Sequence, residues 1–214
     1  LLGMTATPKD EIDKNTYTIF DLERGVPTYA YELDEAVKEG YLVDYRTREY
    51  KTKIMEEGIH YDQLSEEEKE AFDDEFDDDE NVEKDIPNTA VNRWLFNKDT
   101  IDLVLINLMR EGLKVEGGDK LGKTIIFARN SKHAKAIVKR FQKLFPEKGS
   151  HFIKQIDCSI KESEHLIEQF EEKDKMPQIA VSVDMLDTGI DVPEILNLVF
   201  FKKVRSYAKF CQMI

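Results

Sequence analysis

Cysteine is scarce in this chain: there are two in 214 residues, Cys158 and Cys211. No Cys-x-x-Cys pair occurs, and no histidine stands near either thiol at ligand spacing. A disulfide scaffold is excluded on these grounds and no metal site is expected; reduced thiols in a cytoplasmic setting fit better. Long apolar runs are also absent. None approaches the ~20 residues that a membrane-spanning helix needs, and no secretory signal is visible, so no membrane partner is expected. The opening Leu1-Leu2-Gly3-Met4-Thr5 reads as the middle of a strand, which predicts a piece excised from a longer protein. With 41% apolar residues and a mean hydropathy of −0.52, the chain reads as a soluble globular protein with a real core.

Acid is what the chain has in excess. Its 44 Asp and Glu against 31 Lys and Arg give a net charge of −13. The excess is local: residues 56–85 hold sixteen acids, with Lys69 and Lys84 as their only bases. Removing that segment leaves 28 acids against 29 bases in the remainder. The bulk of the chain is therefore close to neutral, and the global charge does not exclude an anionic partner. Two readings of the acidic segment stand: a solvated or flexible surface, or a functional element.

From residue 95 onward, apolar stripes and apolar runs alternate. Ile101, Val104, Leu105, Leu108 and Met109 share one face of a helix over 99–113, and Glu116-Gly117-Gly118-Asp119 punctuates it. Residues 124–128 read as a strand. Asn130-Ser131 can cap a helix whose Ala134, Ile137, Val138, Phe141 and Leu144 face inward, with Phe145-Pro146 and Gly149 ending it. Further strands are expected at 151–156, 178–183 and 195–201, with helices at 162–171 and from 206 to 214. That order predicts a parallel sheet flanked by helices. The crossovers bring the loops after 128 and 183 to one edge. The first half is less regular, with a helix expected at 33–39 closed by Gly40, an extended stretch at 41–50, and a helix at 65–76 behind a Ser65-x-x-Glu68 capping box.

The most telling stretch is Asp184-Met185-Leu186-Asp187-Thr188-Gly189-Ile190-Asp191-Val192-Pro193. A Thr-Gly-x-Asp turn at the carboxyl end of a buried parallel strand lies where α/β proteins hold ligands. Glycine admits a close backbone approach to phosphate, threonine offers a hydroxyl, and aspartate can accept from a ribose. An ordinary strand-exit turn is the alternative. Three companions stand in order around it: Thr5-Ala6-Thr7-Pro8, Phe127-Ala128-Arg129-Asn130 and Phe210-Cys211-Gln212-Met213-Ile214.

Together these resemble motifs III, IV, V and the start of VI of superfamily 2 helicases and translocases. In detail, Gly3 to Pro8, Gly25 to Tyr31, Gly40 to Tyr45 and Ser182 to Pro193 are similar to the motor subunit of type I restriction endonucleases. The resemblance covers nearly the whole chain. It implies a RecA-like α/β fold, a parallel sheet flanked by helices behind an irregular, partly helical linker. Residues 1–48 would be the tail of a first motor domain and its connection, 49–95 an acidic insertion, and 96–214 the second motor domain. The implied function is ATP-dependent translocation of duplex DNA before cleavage, with ATP and Mg²⁺ as cofactors and separate specificity and methylation subunits as partners. A DNA-repair motor of the same superfamily and a non-catalytic interaction module are the alternatives.

The resemblance assigns Gly189, Asp191 and Gln212 to the nucleotide, and Thr188, Arg129 and Asn130 to nucleic acid. Thr5 and Thr7 would couple nucleotide state to domain movement. Arg129 and Asn130 have a second reading, in which Asn130 only caps the following helix and Arg129 is solvated. The glycine-rich phosphate loop, the Asp-Glu metal pair and the arginine expected after Gln212 are not in this chain. No complete catalytic set is therefore expected, nor ATP binding or hydrolysis by this piece alone. His60, His133, His151 and His165 read as surface or satisfied residues. Trp94 and Phe96 read as linker anchors or as base-stacking groups.

Overall fold

The computed structural model describes residues 3, 10–11, 14–50, 59–63, 66, 69, 85–86, 98–187, 190, 192–204 and 206–214. They belong to two compact units, Leu1–Glu49 with Val204–Ile214, and Tyr50–Lys203. In the first unit, short strands β1 (Asp10–Glu11) and β2 (Lys14–Asn15) pair antiparallel. Helix α1 (Thr16–Ile19) follows and buries Tyr17. Helix α2 (Leu33–Lys38) occupies the stretch where a helix is expected. Asp34 and Glu35 lie in its first turn and Lys38 in its last, the arrangement that complements the helix dipole. Gly40 follows at φ 82°, a left-handed conformation that suits glycine. Residues 43–50, expected to be extended, carry no regular element.

The second unit begins with the two-residue pair β3 (Ile59–His60) and β4 (Asp85–Ile86). Most of the helix expected at 65–76 lies outside the described residues, as do Trp94 and Phe96. Helix α3 (Lys98–Glu111) matches the predicted stripe, burying Ile101, Leu105 and Leu108. The acidic-glycine punctuation turns out to be the tip of a hairpin, β5 (Lys114–Val115) with β6 (Lys120–Leu121). Gly117 and Gly118 adopt φ of 73° and 106° there, which a β-carbon would oppose.

The main sheet is built from β7 (Lys123–Phe127), β8 (Ile153–Ile156), β9 (Ile179–Ser182) and β10 (Ile195–Phe200). Helices α4 (Ser131–Leu144) and α5 (Ser163–Glu171) connect β7 to β8 and β8 to β9. The strand order is β10-β7-β9-β8 and every pairing is parallel. The central strands β7 and β9 are buried at every position, as expected when both faces of a parallel sheet are covered.

Alternation sorts the core into two layers. Ile126, Ala128, Ile179 and Val181 join Ile101, Leu105, Ala134, Ile137 and Phe141 in one apolar cluster with α3 and α4. Phe141 stacks on Phe152 at 5.7 Å and meets Phe145 at 5.0 Å. Arg140 of α4 forks onto Asp102 of α3, tying the two helices together. On the opposite face, the Lys123 ammonium lies 4.9 Å from the Phe170 ring of α5 and donates to the carbonyls of Lys175 and Pro177. Burial, and secondarily the nearby Lys120, hold this ammonium below its ordinary pKa. Gly122 permits a close approach to β10, since a β-carbon there would stand 2.7 Å from the Leu196 side chain.

Helix α6 (Tyr207–Met213) belongs to the first unit. The Ser206 hydroxyl caps it by accepting from the Lys209 N–H, and Phe210 meets Tyr45 edge-on at 5.9 Å.

Candidate functional site

Because all four main strands run parallel, the loops that follow them emerge at one sheet edge. Register places Phe127 of β7 opposite Ser182 of β9, and the Ala128 N–H continues the ladder by donating to the Ser182 carbonyl at 2.7 Å. The loops after residues 128 and 183 are therefore neighbours, as the alternation predicts. In this strand order the chain leaves β7 toward one end of the sheet and leaves β9 toward the other. This is the kind of switch point at which open α/β sheets form a crevice.

Asn130 sits at the start of α4, where its side-chain oxygen accepts from the His133 N–H at 2.8 Å. It caps a 14-residue helix, and the free backbone donors of that first turn face the same edge. Arg129 is exposed beside it, its N–H donating to His133 Nδ1 at 3.3 Å. The His133 ring is buried and packs edge-on against Phe201 at 5.2 Å. This histidine therefore fixes the β7 exit loop from inside. His60, His151 and His165 are exposed, as expected.

Asp157 follows β8 and is 1% exposed. Its carboxylate accepts from the Ser131 hydroxyl at 2.9 Å, from Gln155 at 2.7 Å, and from the Ser159 N–H and hydroxyl at 2.9 and 2.5 Å. Burial pushes this carboxyl upward, but the bonds from Ser159, Gln155 and Ser131 outweigh it and hold the group below the usual carboxylate range. The residue ties the β8 exit to the first turn of α4. Every oxygen is engaged, so it is not available as a ligand.

Lys202 follows β10 and does the same for the loop after β9. Its ammonium donates to both Asp187 oxygens at 3.1 and 3.0 Å, to Asp184 at 3.2 Å, and to the Val183 carbonyl. It also lies 5.6 Å from the Phe127 ring. Within the loop, the Leu186 N–H donates to the Ser182 hydroxyl and the Asp187 N–H to the Asp184 carbonyl, each at 3.2 Å. The segment leading into Thr188-Gly189-Ile190-Asp191 is thereby held at the sheet edge.

Sequence reasoning singled out neither Asp157 nor Lys202. A charged residue close behind a parallel strand was the available signal in both cases.

Of the residues singled out from sequence, Arg129 and Asn130 lie together at this edge. Thr188, Gly189 and Asp191 lie outside the described residues, as do Thr5 and Thr7. Gln212 is half-buried in α6, in the other unit. Among the described residues, no group of three or more His, Cys, Asp or Glu is arranged to hold a metal ion. Nor is any described helix long and apolar enough to cross a membrane.

Residues 103–214 match the family model of the helicase conserved C-terminal domain. The chain is 29% identical, over 99% of its length, to the type I restriction enzyme EcoKI endonuclease subunit of Escherichia coli K12, covering 18% of that protein. It is 24% identical, over 100% of its length, to the EcoAI endonuclease subunit of Escherichia coli, covering 25% of it. The chain thus spans about a fifth to a quarter of the length of these relatives. Among solved structures, a fragment described as an HsdR subunit of a type I restriction enzyme from Vibrio vulnificus YJ016 shares the fold. The TM-score is 0.50 at 20% identity, over 64% of this chain and 26% of that one. With the family model covering more than half of its residues, and its strands, helices and sheet edge arranged as described, the chain belongs to the helicase conserved C-terminal domain family.

Proposed function

We propose that this chain is the second RecA-like motor domain, with its preceding linker, of the translocating subunit of a type I restriction enzyme. The longer subunit would use ATP and Mg²⁺ to move duplex DNA before cleaving it, in complex with specificity and methylation subunits. In this reading, residues 1–48 end the first motor domain, 49–95 form an acidic insertion and 96–214 form the second motor domain. The observation that carries it is the shared sheet edge. There the cationic exit of β7 adjoins the anchored loop that enters Thr188-Gly189-Ile190-Asp191, in a chain similar throughout to two restriction endonuclease subunits.

The chemistry needed from such an edge is positioning and charge stabilisation. Arg129 and the first turn of α4 offer cationic and N–H donors to a phosphate backbone, and Thr188 would add a hydroxyl contact to nucleic acid. Gly189 and Asp191 would meet the nucleotide through close backbone approach and a ribose hydrogen bond, and Gln212 is assigned to the nucleotide by the resemblance alone. Thr5 and Thr7 would relay its state. Bound ATP supplies the transferable phosphoryl group, and Mg²⁺ would neutralise its charge. The described carboxylates of this edge are engaged by Lys202, Ser131, Gln155 and Ser159, so a magnesium ligand from this chain is not assigned.

Replacing Asp191 by Ala in the longer subunit, with its other motifs intact, tests the nucleotide assignment. The expected result is a weakened apparent ATP affinity with unchanged DNA binding. Unchanged ATP use would overturn the assignment of Asp191.

A further inference from the structure

Helix α4 carries five lysines and arginines and no acid, in a chain whose acids outnumber its bases. Lys132, Lys135, Lys139 and Lys143 recur at intervals of three and four residues, which places them on one helix face. All four are exposed. Arg140 of the same helix is neutralised by Asp102, whereas these four lysines form no ion pair among the described residues.

The placement of Lys132 also opposes the helix dipole. The first turn contains Lys132 and no acidic residue, where a helix shaped by stability alone would favour Asp or Glu. Lys132 thus adds cationic charge to the positive helix end, at the sheet edge where Arg129 stands, and Lys135, Lys139 and Lys143 continue the row away from it. From Lys132 to Lys143 the helix rises about 16 Å, and one strand of duplex DNA presents about five phosphates over that rise.

We propose that this face of α4 is a second phosphate-contact surface, which takes the backbone of duplex DNA continuing from Arg129 at the sheet edge. This rests on the DNA-binding reading given above and extends the contact beyond the residues of the edge itself. The side chains contact phosphate only, so the surface adds affinity and salt dependence without sequence preference.

Duplex DNA binding by the chain, followed by fluorescence anisotropy from about 50 to about 200 mM salt, tests this. Lys139→Gln with Lys143→Gln is the informative variant, because both residues are exposed and remote from the edge. The expected result is a log–log salt slope shallower by about 2, so that affinity falls about tenfold less across that range than in the wild type. Thermal unfolding should be unchanged, and the Lys139→Arg, Lys143→Arg variant should restore the wild-type slope.

An unchanged slope in the glutamine variant, with a shallower slope in Arg129→Ala, overturns this surface and leaves the DNA-binding reading standing. Absence of duplex binding by the wild type would overturn both. Lysine-dependent binding of polyglutamate, with duplex binding indifferent to the lysines, would overturn the proposal in favour of an acidic protein partner.

Discussion

Asp157 is a carboxylate taken almost entirely out of water and compensated by donors from Ser131, Gln155 and Ser159. Removing it would leave those donors unpaired in a buried site, at about 1–3 kcal/mol. Asp157→Asn should therefore lower the urea unfolding free energy at neutral pH by about 2 kcal/mol. The sign of its pH dependence follows from the depressed folded-state pKa. The carboxylate's contribution is fully present above the unfolded-state value and is lost as pH falls through the folded one. The gap between wild type and variant should consequently narrow under acid, and a gap independent of pH would contradict the role given to the carboxylate.

Arg129 is the other single residue on which much depends. Arg129→Ala should weaken duplex DNA binding alike across sequences and reduce the salt slope by about 1. A sequence-dependent loss would instead mark a base contact.

At the scale of elements, the aromatic contact between α4 and the residue that leads into β8 should be a principal source of stability. Phe141 is fully buried between Phe145 and Phe152, and Phe141→Ala should destabilise the unit by about 3–5 kcal/mol in chemical denaturation. The β9 exit loop depends on a different device. Lys202→Met removes the cation that holds the buried Asp187 carboxylate, with an expected loss of about 3 kcal/mol. Amide hydrogen exchange should then accelerate at Leu186 and Asp187 more than in the sheet. Uniform acceleration through β7 and β9 would mean that Lys202 supports the whole unit rather than the loop.

The elements themselves were largely legible from sequence, and for a physical reason. Ala134, Ile137 and Phe141 stand at helical spacing, and Asn130 heads them with a side chain that caps. The residues around Ile126 and Val181 are apolar without interruption because both faces of the sheet are covered. The hairpin at 114–121 was not legible, since two-residue strands have no periodicity to detect. Lys123 was placed outside the strand, although it is buried with its charge met by carbonyls and a ring. The ties made by Asp157 and Lys202 join residues 26 and 15 positions apart. A pattern read along one stretch of chain does not register such long-range pairs.

Across the whole molecule, charge is unevenly distributed along the chain. The acids concentrate in residues 56–85, while α4 of the same unit carries only basic charge beside the edge where phosphate binding is proposed. Fold and family are shown by the structure and the helicase C-terminal match, whereas motor activity is proposed for a longer subunit. The most direct measurement is DNA-stimulated ATP hydrolysis by the longer subunit proposed to contain this chain, with Asp191→Ala beside it. The account predicts hydrolysis that rises on adding duplex DNA and falls in the variant through weaker ATP use. A subunit with intact motifs that binds duplex DNA but shows no DNA-dependent hydrolysis would contradict it.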